Sequence, residues 1–405
     1  MLLVITAILS FANSAMALND AQQLVVESWR LVNQSYVDSS KFEEIHWKKL
    51  RQKALEKTII NSEQAYEAIE KMLLPLGDPY TKLLRPNDYL ALKSNTQGNV
   101  SGVGIQLGAR NSDSPILVIA PLQGSPAAKA GLISGTEIIE INGESVENLS
   151  LEAAAGRLRG QSGTQVIIKA IVPNNSENSF QPFVKTNHQN VKEFILNREQ
   201  IDLNPVRTSI LTDKNKKIGY IYISQFSENV SEQMTEALNK LNEEGIQELI
   251  LDLRNNSGGL VSAGLEVANQ LLGNGSIVET VNREGISEII QSSRDQLFTG
   301  SMVTIVNGGT ASAGEILAGA LQDNGRSKLI GNQTFGKGLI QSLINLGDGS
   351  GLTVTVARYM TPKGRDIQKL GITPDYLLAS PEPLNPGEAE DSWIKDAQIL
   401  LEKAI

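Results

Sequence analysis

Ser312, Lys337 and Gln341 are the residues of this chain whose types and spacing promise chemistry. Ser312 opens a predicted helix in Thr310-Ala311-Ser312-Ala313-Gly314-Glu315; Lys337 sits in the glycine turn Phe335-Gly336-Lys337-Gly338, and Gln341 follows shortly after. A serine hydroxyl is a weak nucleophile until a base takes its proton. The chain has no cysteine and only two histidines, His46 and His188, both far from this stretch. A hydrolase built on Ser312 must therefore use lysine as its base. That amine works only when neutral, so its pKa has to fall from about 10.4 toward about 7–8, roughly 4 kcal/mol supplied by burial away from carboxylates. Gly336 and Gly338 allow the tight turn that places it in an enclosed site. Gln341 can hold the amine through a neutral hydrogen bond, whereas a carboxylate there would keep it charged.

An acyl intermediate also needs donors for its oxyanion. The Ala313 N–H at the helix start is one, helped by the helix dipole. The Gly258 N–H in Asn256-Ser257-Gly258-Gly259 is a second. That turn follows the buried strand Glu248–Leu253, at the carboxyl end where α/β sites collect. Taken singly, Ser312 reads as a helix cap and Lys337 as a surface lysine. Two other motifs come close. Residues 331–338 approach a phosphate loop but lack the Ser or Thr that would bind magnesium, and the Ser312 turn approaches a Gly-x-Ser-x-Gly elbow but has Thr310 in the first glycine position.

The elements that must position these groups fall into three regions. Residues 1–17 read as a signal peptide, with an apolar run Leu2–Leu9 and the small-x-small signal Ala15-Met16-Ala17, although no Lys or Arg precedes the run. Residues 18–97 read as a helical domain, with Ser62 as the N-cap of one helix and Asp78-Pro79-Tyr80-Thr81 ending it. From 98 to 171, glycine turns alternate with short strands: Ser101-Gly102-Val103-Gly104-Ile105-Gln106-Leu107, then Ile116–Ile119, then Glu137–Ile141 with the hairpin turn Asn142-Gly143, a helix at Leu151–Leu158 and a closing strand. The run from Gly102 to Gly108 misses a dinucleotide-loop spacing by one residue. This order of elements resembles a PDZ domain. The resemblance implies that Val103, Gly104 and Ile105 form a loop holding a peptide's terminal carboxylate. Residues 172–190, which include His188, read as a polar linker. From 191 to 405, short apolar strands alternate with helical patterns, an α/β core with a terminal helix.

The length of 405 residues suits two or three domains, and the formal charge of −9 with no basic block argues against nucleic acid as a partner. The absence of cysteine excludes a thiol nucleophile, structural disulfides and thiolate zinc sites.

Together the motifs resemble the carboxyl-terminal processing peptidases, Ser/Lys serine proteases that carry a PDZ domain. The marks are Asp78-Pro79-Tyr80-Thr81, the PDZ-like unit, Leu251-Asp252-Leu253-Arg254-Asn255-Asn256-Ser257-Gly258-Gly259, Asn307–Ile316, Gly336-Lys337-Gly338, Gly364-Arg365-Asp366-Ile367-Gln368 and Gly371–Asp375. The resemblance implies a crotonase- or caseinolytic-protease-like α/β spiral with an inserted PDZ domain and an N-terminal helical domain. It makes Ser312 the nucleophile, Lys337 the base, Gln341 its orienting group, and Gly258 and Ala313 the oxyanion donors. Glu315 takes a structural or supporting role, and Gly314 stands where the family often has a second serine. Arg159 would link PDZ occupancy to the site. No metal or cofactor is implied. The expected substrates are exported or membrane-associated polypeptides with free C-terminal tails, in the periplasm or thylakoid lumen. The details look closest to the cyanobacterial and chloroplast branch, whose substrate is the photosystem II reaction-centre precursor. The competing reading is a tail receptor or chaperone with an inactive core.

Overall fold

The computed structural model describes residues 18–403, except 109–114, 123, 134, 148, 150, 174–189, 203, 214–215, 294, 380–382, 384–386 and 388–390. The expected signal peptide and His188 lie outside the described residues. The chain divides into two units, one of residues up to Arg85 with Gln341–Val356, the other of Pro86–Ile340 with Ala357–Ile405.

The first unit is built on helices Asp20–Ser35, Trp47–Glu56 and Ser62–Leu73. Asn19 caps the first by a reciprocal pair, its Oδ1 accepting from the Gln22 N–H at 2.8 Å while its own N–H donates to Gln22 Oε1 at 3.1 Å. The third is capped by Asn61, whose Oδ1 accepts from the Gln64 N–H at 3.0 Å, and not by Ser62 as the sequence suggested. Both are good caps; Asn61 has the extended backbone a cap requires, and Ser62 is already helical. Val25, Val32, Trp47 and Ile69 bury against Leu352 and Val354. The Asp78-Pro79-Tyr80-Thr81 turn has a structural task here. Asp78 Oδ2 accepts from the Thr81 and Thr355 hydroxyls, both at 2.7 Å, and Lys82–Leu84 then pairs antiparallel with Gly351–Thr353.

The second unit holds a sheet of Val206–Asp213, Lys216–Ile223, Glu248–Asp252, Ser301–Val306, Lys328–Gly331 and Tyr376–Leu377, in that order. Only the first pair is antiparallel. Glu248–Asp252 is buried at every position, as expected of a parallel strand covered on both faces. Leu249 and Leu251 pack with helices Val230–Glu243 and Val261–Leu271, while Ile250 faces Trp393, Ala397 and Leu401 of the helix Ser392–Lys403. This alternation is the period-two pattern of a strand.

A separate sheet in this unit joins Ile105–Gly108, Ile116–Pro121, Glu137–Ile141, Gln165–Ile171 and Val191–Asn197. By its sequence pattern the last strand stands at the head of the α/β core that begins at residue 191. It pairs along its length with Gln165–Ile171 and so closes the PDZ-like sheet, because Leu196 turns into that core with Val166 and Ile168. Arg198, buried just beyond it, donates to the Arg157 and Gln165 carbonyls, both at 2.8 Å, and to the Leu158 carbonyl at 3.2 Å. It thereby caps the helix Leu151–Leu158 with a positive charge.

The terminal helix is locked to the central sheet by charge. Arg254 is fully buried between Asp252 and Asp391, reaching Asp391 Oδ2 at 2.6 Å, and its guanidinium lies 5.6 Å from the Trp393 ring. Asp391 also caps the helix, accepting from the Trp393 N–H at 3.0 Å and the Gly387 N–H at 2.9 Å. Burial opposes ionisation of Asp391, but the bonds from Arg254 and the Gly387 N–H outweigh it and hold the carboxyl below its usual range. Its contribution to stability is therefore complete above about pH 4 and is lost as pH falls through the depressed value. Asp391→Ala is expected to cost about 3–5 kcal/mol, since it leaves half of a buried guanidinium unpaired. Urea unfolding measures this, and a variant as stable as the parent would show that the triad does not hold the helix.

Candidate active site

Three loops converge at the carboxyl ends of neighbouring parallel strands. Residues 253–259 follow Glu248–Asp252, residues 307–312 follow Ser301–Val306, and residues 332–338 follow Lys328–Gly331. The first two are joined by paired asparagines. The Asn255 N–H donates to Asn307 Oδ1 and Asn307 Nδ2 donates to Asn255 Oδ1, each at 2.9 Å. The Thr310 hydroxyl bonds the Leu253 carbonyl at 2.8 Å, and the Ala311 N–H bonds the Asn256 carbonyl at 2.9 Å.

Ser312 stands at the start of the helix Ala313–Asp323 with φ 52° and ψ −118°, a conformation costly for a residue with a Cβ. Strain of this kind persists only where the surroundings over-determine it. Here the surroundings include Glu315, buried in the first helical turn. Its Oε2 accepts from the Ser312 N–H at 3.0 Å and from the Lys337 N–H at 2.9 Å. Its Oε1 accepts from the Gly336 N–H at 2.7 Å and from the Thr334 hydroxyl. One carboxylate oxygen therefore joins the backbones of Ser312 and Lys337. The same arrangement accounts for the near match to a phosphate loop. The amides of Gly336 and Lys337 do form an anion cradle, and the protein's own carboxylate fills it.

Further contacts set the Lys337 turn. The Gly338 N–H donates to Gln368 Oε1 at 2.7 Å and the Lys369 N–H to the Gly336 carbonyl at 2.8 Å. Gly336 has φ 90°, and a Cβ there would stand 2.8 Å from the Gly371 nitrogen, so glycine is required on both grounds. The Gly364–Gln368 and Gly371–Asp375 motifs thus act as the bed under the lysine loop. Lys337 itself is half-buried.

Gly258 lies against Ser312, as the oxyanion reading requires. A Cβ on it would meet Ser312 Cβ at 2.8 Å and the Ala313 nitrogen at 3.1 Å. Its N–H, however, donates to Asn256 Oδ1 at 2.9 Å. Asparagine side chains form such turns over the backbone two residues on. The amide is therefore engaged in this structure, and an oxyanion would have to share or displace that bond. The Ala313 N–H opens the helix and is one of the amides that no helical carbonyl reaches. Gln341 lies on the strand Leu339–Asn345, where its Nε2 is buried with no hydrogen-bond partner among the described residues.

In the PDZ-like region, Val103 is buried and Gly104 has φ 72°. A Cβ on Gly104 would stand 2.2 Å from Ser125 Cβ, so the bend admits only glycine. Ile105 begins the adjoining strand opposite Pro121. Arg159 is exposed beside Gly102, in the residues that follow the helix.

Two comparisons of sequence decide the family. A family model for peptidase family S41 matches residues 217–378, and one for the PDZ domain matches residues 92–170. A carboxyl-terminal-processing protease of Picosynechococcus sp. is 44% identical over 384 residues, covering 95% of this chain and 89% of that protein. The chain belongs to peptidase family S41, among the carboxyl-terminal-processing serine peptidases. Carboxyl-terminal-processing peptidase 3, chloroplastic, of Arabidopsis thaliana is 40% identical over 87% of this chain and 68% of its own length. A solved photosystem II D1 C-terminal processing protease is 36% identical, with a TM-score of 0.61 over 89% of this chain and 94% of that one. The expected S41 architecture, an α/β peptidase core with a PDZ domain and N-terminal helices, holds.

Two residues of this S41 site carry more than sequence reasoning gave them. Glu315 was read as supporting; the Ser312-x-x-Glu315 spacing is a capping-box signal and could have indicated the bond back to the Ser312 N–H, though not the reach to Lys337. Tyr359 was not singled out at all. Its hydroxyl lies 3.0 Å from the Ser312 carbonyl and also bonds the Lys337 carbonyl. Nothing local in Arg358-Tyr359-Met360 marks it.

Proposed function

We propose that this S41 peptidase cuts exported polypeptides near their free C-terminal tails by a Ser/Lys acyl-enzyme mechanism. Neutral Lys337 takes the Ser312 Oγ proton as that oxygen attacks the scissile carbonyl, and Gln341 orients the amine. The Ala313 N–H stabilises the oxyanion, with the Gly258 N–H joining once Asn256 yields it. The lysine then protonates the leaving amine, and water releases the acyl group by the reverse sequence. The observation that carries this reading is the single Glu315 oxygen bonded to both the Ser312 and Lys337 amides. It places the backbones of an alcohol and an amine side by side at the carboxyl ends of parallel strands.

Val103, Gly104 and Ile105 would hold the tail's carboxylate, with Arg159 bordering that loop. The relatives named for cyanobacteria and chloroplasts, and the solved protease named for the photosystem II D1 protein, support a lumenal or periplasmic setting and a photosystem II precursor as substrate.

An unstructured peptide with a free C-terminus and its amidated twin test the reading. The free-acid peptide should release a C-terminal fragment, and mass spectrometry of quenched enzyme should find the acyl adduct on Ser312. Amidation should lower kcat/KM by at least about tenfold, because the loop loses a charged ligand. Binding without any fragment would favour the receptor reading, and equal cleavage of the two peptides would remove the carboxylate loop from the model.

A further inference from the structure

Tyr359 is 1% exposed and sits near the end of the strand Gly351–Met360, where it pairs with Thr280. Its backbone N–H donates to the Gly338 carbonyl at 3.0 Å, so the strand at this residue is anchored to the lysine loop independently of the side chain. That hydroxyl then stands between two carbonyl oxygens, of Ser312 at 3.0 Å and of Lys337. A phenol has one proton to give, and two acceptors face it.

The arrangement mirrors the one on the amide side. Glu315 Oε2 gathers the N–H groups of Ser312 and Lys337; the Tyr359 hydroxyl gathers their C=O groups. We propose that Tyr359 is a positioning residue of the peptidase, whose hydroxyl fixes the spacing of nucleophile and base by joining their carbonyls. The inference rests on the Ser312/Lys337 reading given above.

The strain at Ser312 gives the hydroxyl something to do. With φ 52° and ψ −118°, Ser312 is prone to relax, and its peptide groups must be held on both sides. Glu315 holds the amide preceding its Cα. Tyr359 holds the carbonyl following it, together with the Glu315 and Ile316 amides at 2.8 and 3.0 Å. Of these bonds to that carbonyl, it is the tyrosine's that leads to the lysine loop. Reacting groups displaced by about 1 Å can lose two orders of magnitude in rate, so the loss of one hydroxyl suffices to be seen.

The test is Tyr359→Phe, which keeps the ring and deletes only the link. Turnover of the free-acid peptide should fall about 10- to 100-fold in kcat, with KM within about twofold, since the link serves the acylation step rather than the binding of the tail. Single-turnover acylation should slow by the same factor. Replacing Tyr359 with 4-aminophenylalanine, which offers an N–H to each carbonyl, should restore kcat to within about threefold of the parent. Wild-type kcat in the Phe protein would overturn the proposal. So would a loss shared by kcat, KM and thermal stability that 4-aminophenylalanine does not repair, since that is the mark of a packing role. Should the Phe protein fail to fold, 4-aminophenylalanine against 4-methylphenylalanine, which fills the same space without a donor, gives the same comparison. Ser312→Ala run alongside separates the levels: activity retained there defeats the Ser/Lys reading itself, whereas activity lost there but kept in Tyr359→Phe defeats only this inference.

Discussion

Ser312→Ala and Lys337→Ala proteins are expected to hydrolyse the free-acid peptide at about one ten-thousandth of the parent rate or less, with tail binding and fold preserved. The magnitude follows from the division of labour. Removing a nucleophile or its base from a hydrolase built on an acyl intermediate costs about four to six orders of magnitude, and what remains reflects binding and oxyanion stabilisation. The double variant should be no slower than either single one, because the two groups act as a unit. Lys337→Arg sharpens the test. It keeps the length and the positive charge but cannot be deprotonated, so it should be as inactive as alanine. Peptide fluorescence or mass spectrometry measures all four proteins. If any of the single substitutions retained more than about a tenth of parental kcat/KM, the assigned nucleophile or base would be wrong.

Glu315→Ala should damage both catalysis and stability. The carboxylate is fully buried and serves four donors: the amides of Ser312, Gly336 and Lys337 and the Thr334 hydroxyl. Truncation orphans all four in an interior where each unmet group costs about 1–3 kcal/mol, less whatever water or relaxation recovers. A net loss of about 3–5 kcal/mol is expected, with kcat/KM down at least about a thousandfold as the serine and lysine loops come apart. Glu315→Gln is the more telling variant. It is nearly isosteric, but its amide nitrogen would face N–H donors, so one side of the cradle becomes donor against donor. It should lose at least about a hundredfold in kcat/KM. Chemical denaturation with parallel kinetics decides the matter. A glutamine protein as active as the parent would mean the carboxylate is a mere filler of space.

Much of this site was legible because its chemistry is carried by short, local signals. Ser312 follows a strand and opens a helix, and Lys337 lies between glycines; the scarcity of histidine is what makes lysine the proposed base. The glycines were also readable, since Gly104, Gly258 and Gly336 stand where positive φ and close approach exclude a side chain. What escaped was of another kind. Tyr359 and Asp391 act on residues far from them in sequence, and a hydrophobic or capping pattern says nothing about which distant loop a strand or helix end will meet. Asn256 belongs to the turn expected to donate, yet its side chain accepts from the Gly258 amide proposed as an oxyanion donor, a choice between acceptors that spacing cannot settle. Val191–Asn197 follows a polar stretch that looked like a boundary, and its strand pattern fits either neighbouring sheet; only packing of Leu196 selects one. Ser62 and Asn61 are adjacent residues of equal capping ability, separated by backbone conformation alone.

The partnership of Arg254 with Asp391 has a consequence for how the chain is made. The two residues are separated by 137 positions. At roughly 5–20 residues per second, the ribosome adds that stretch in roughly 7–27 s. Throughout that interval the loop leading into the Gly258 turn carries a guanidinium with one of its two carboxylates still untranslated. A nascent chain therefore carries Arg254 and Ser312 well before the second carboxylate that braces the turn exists, so the loop after the strand is held from one side only until the terminal helix has been made.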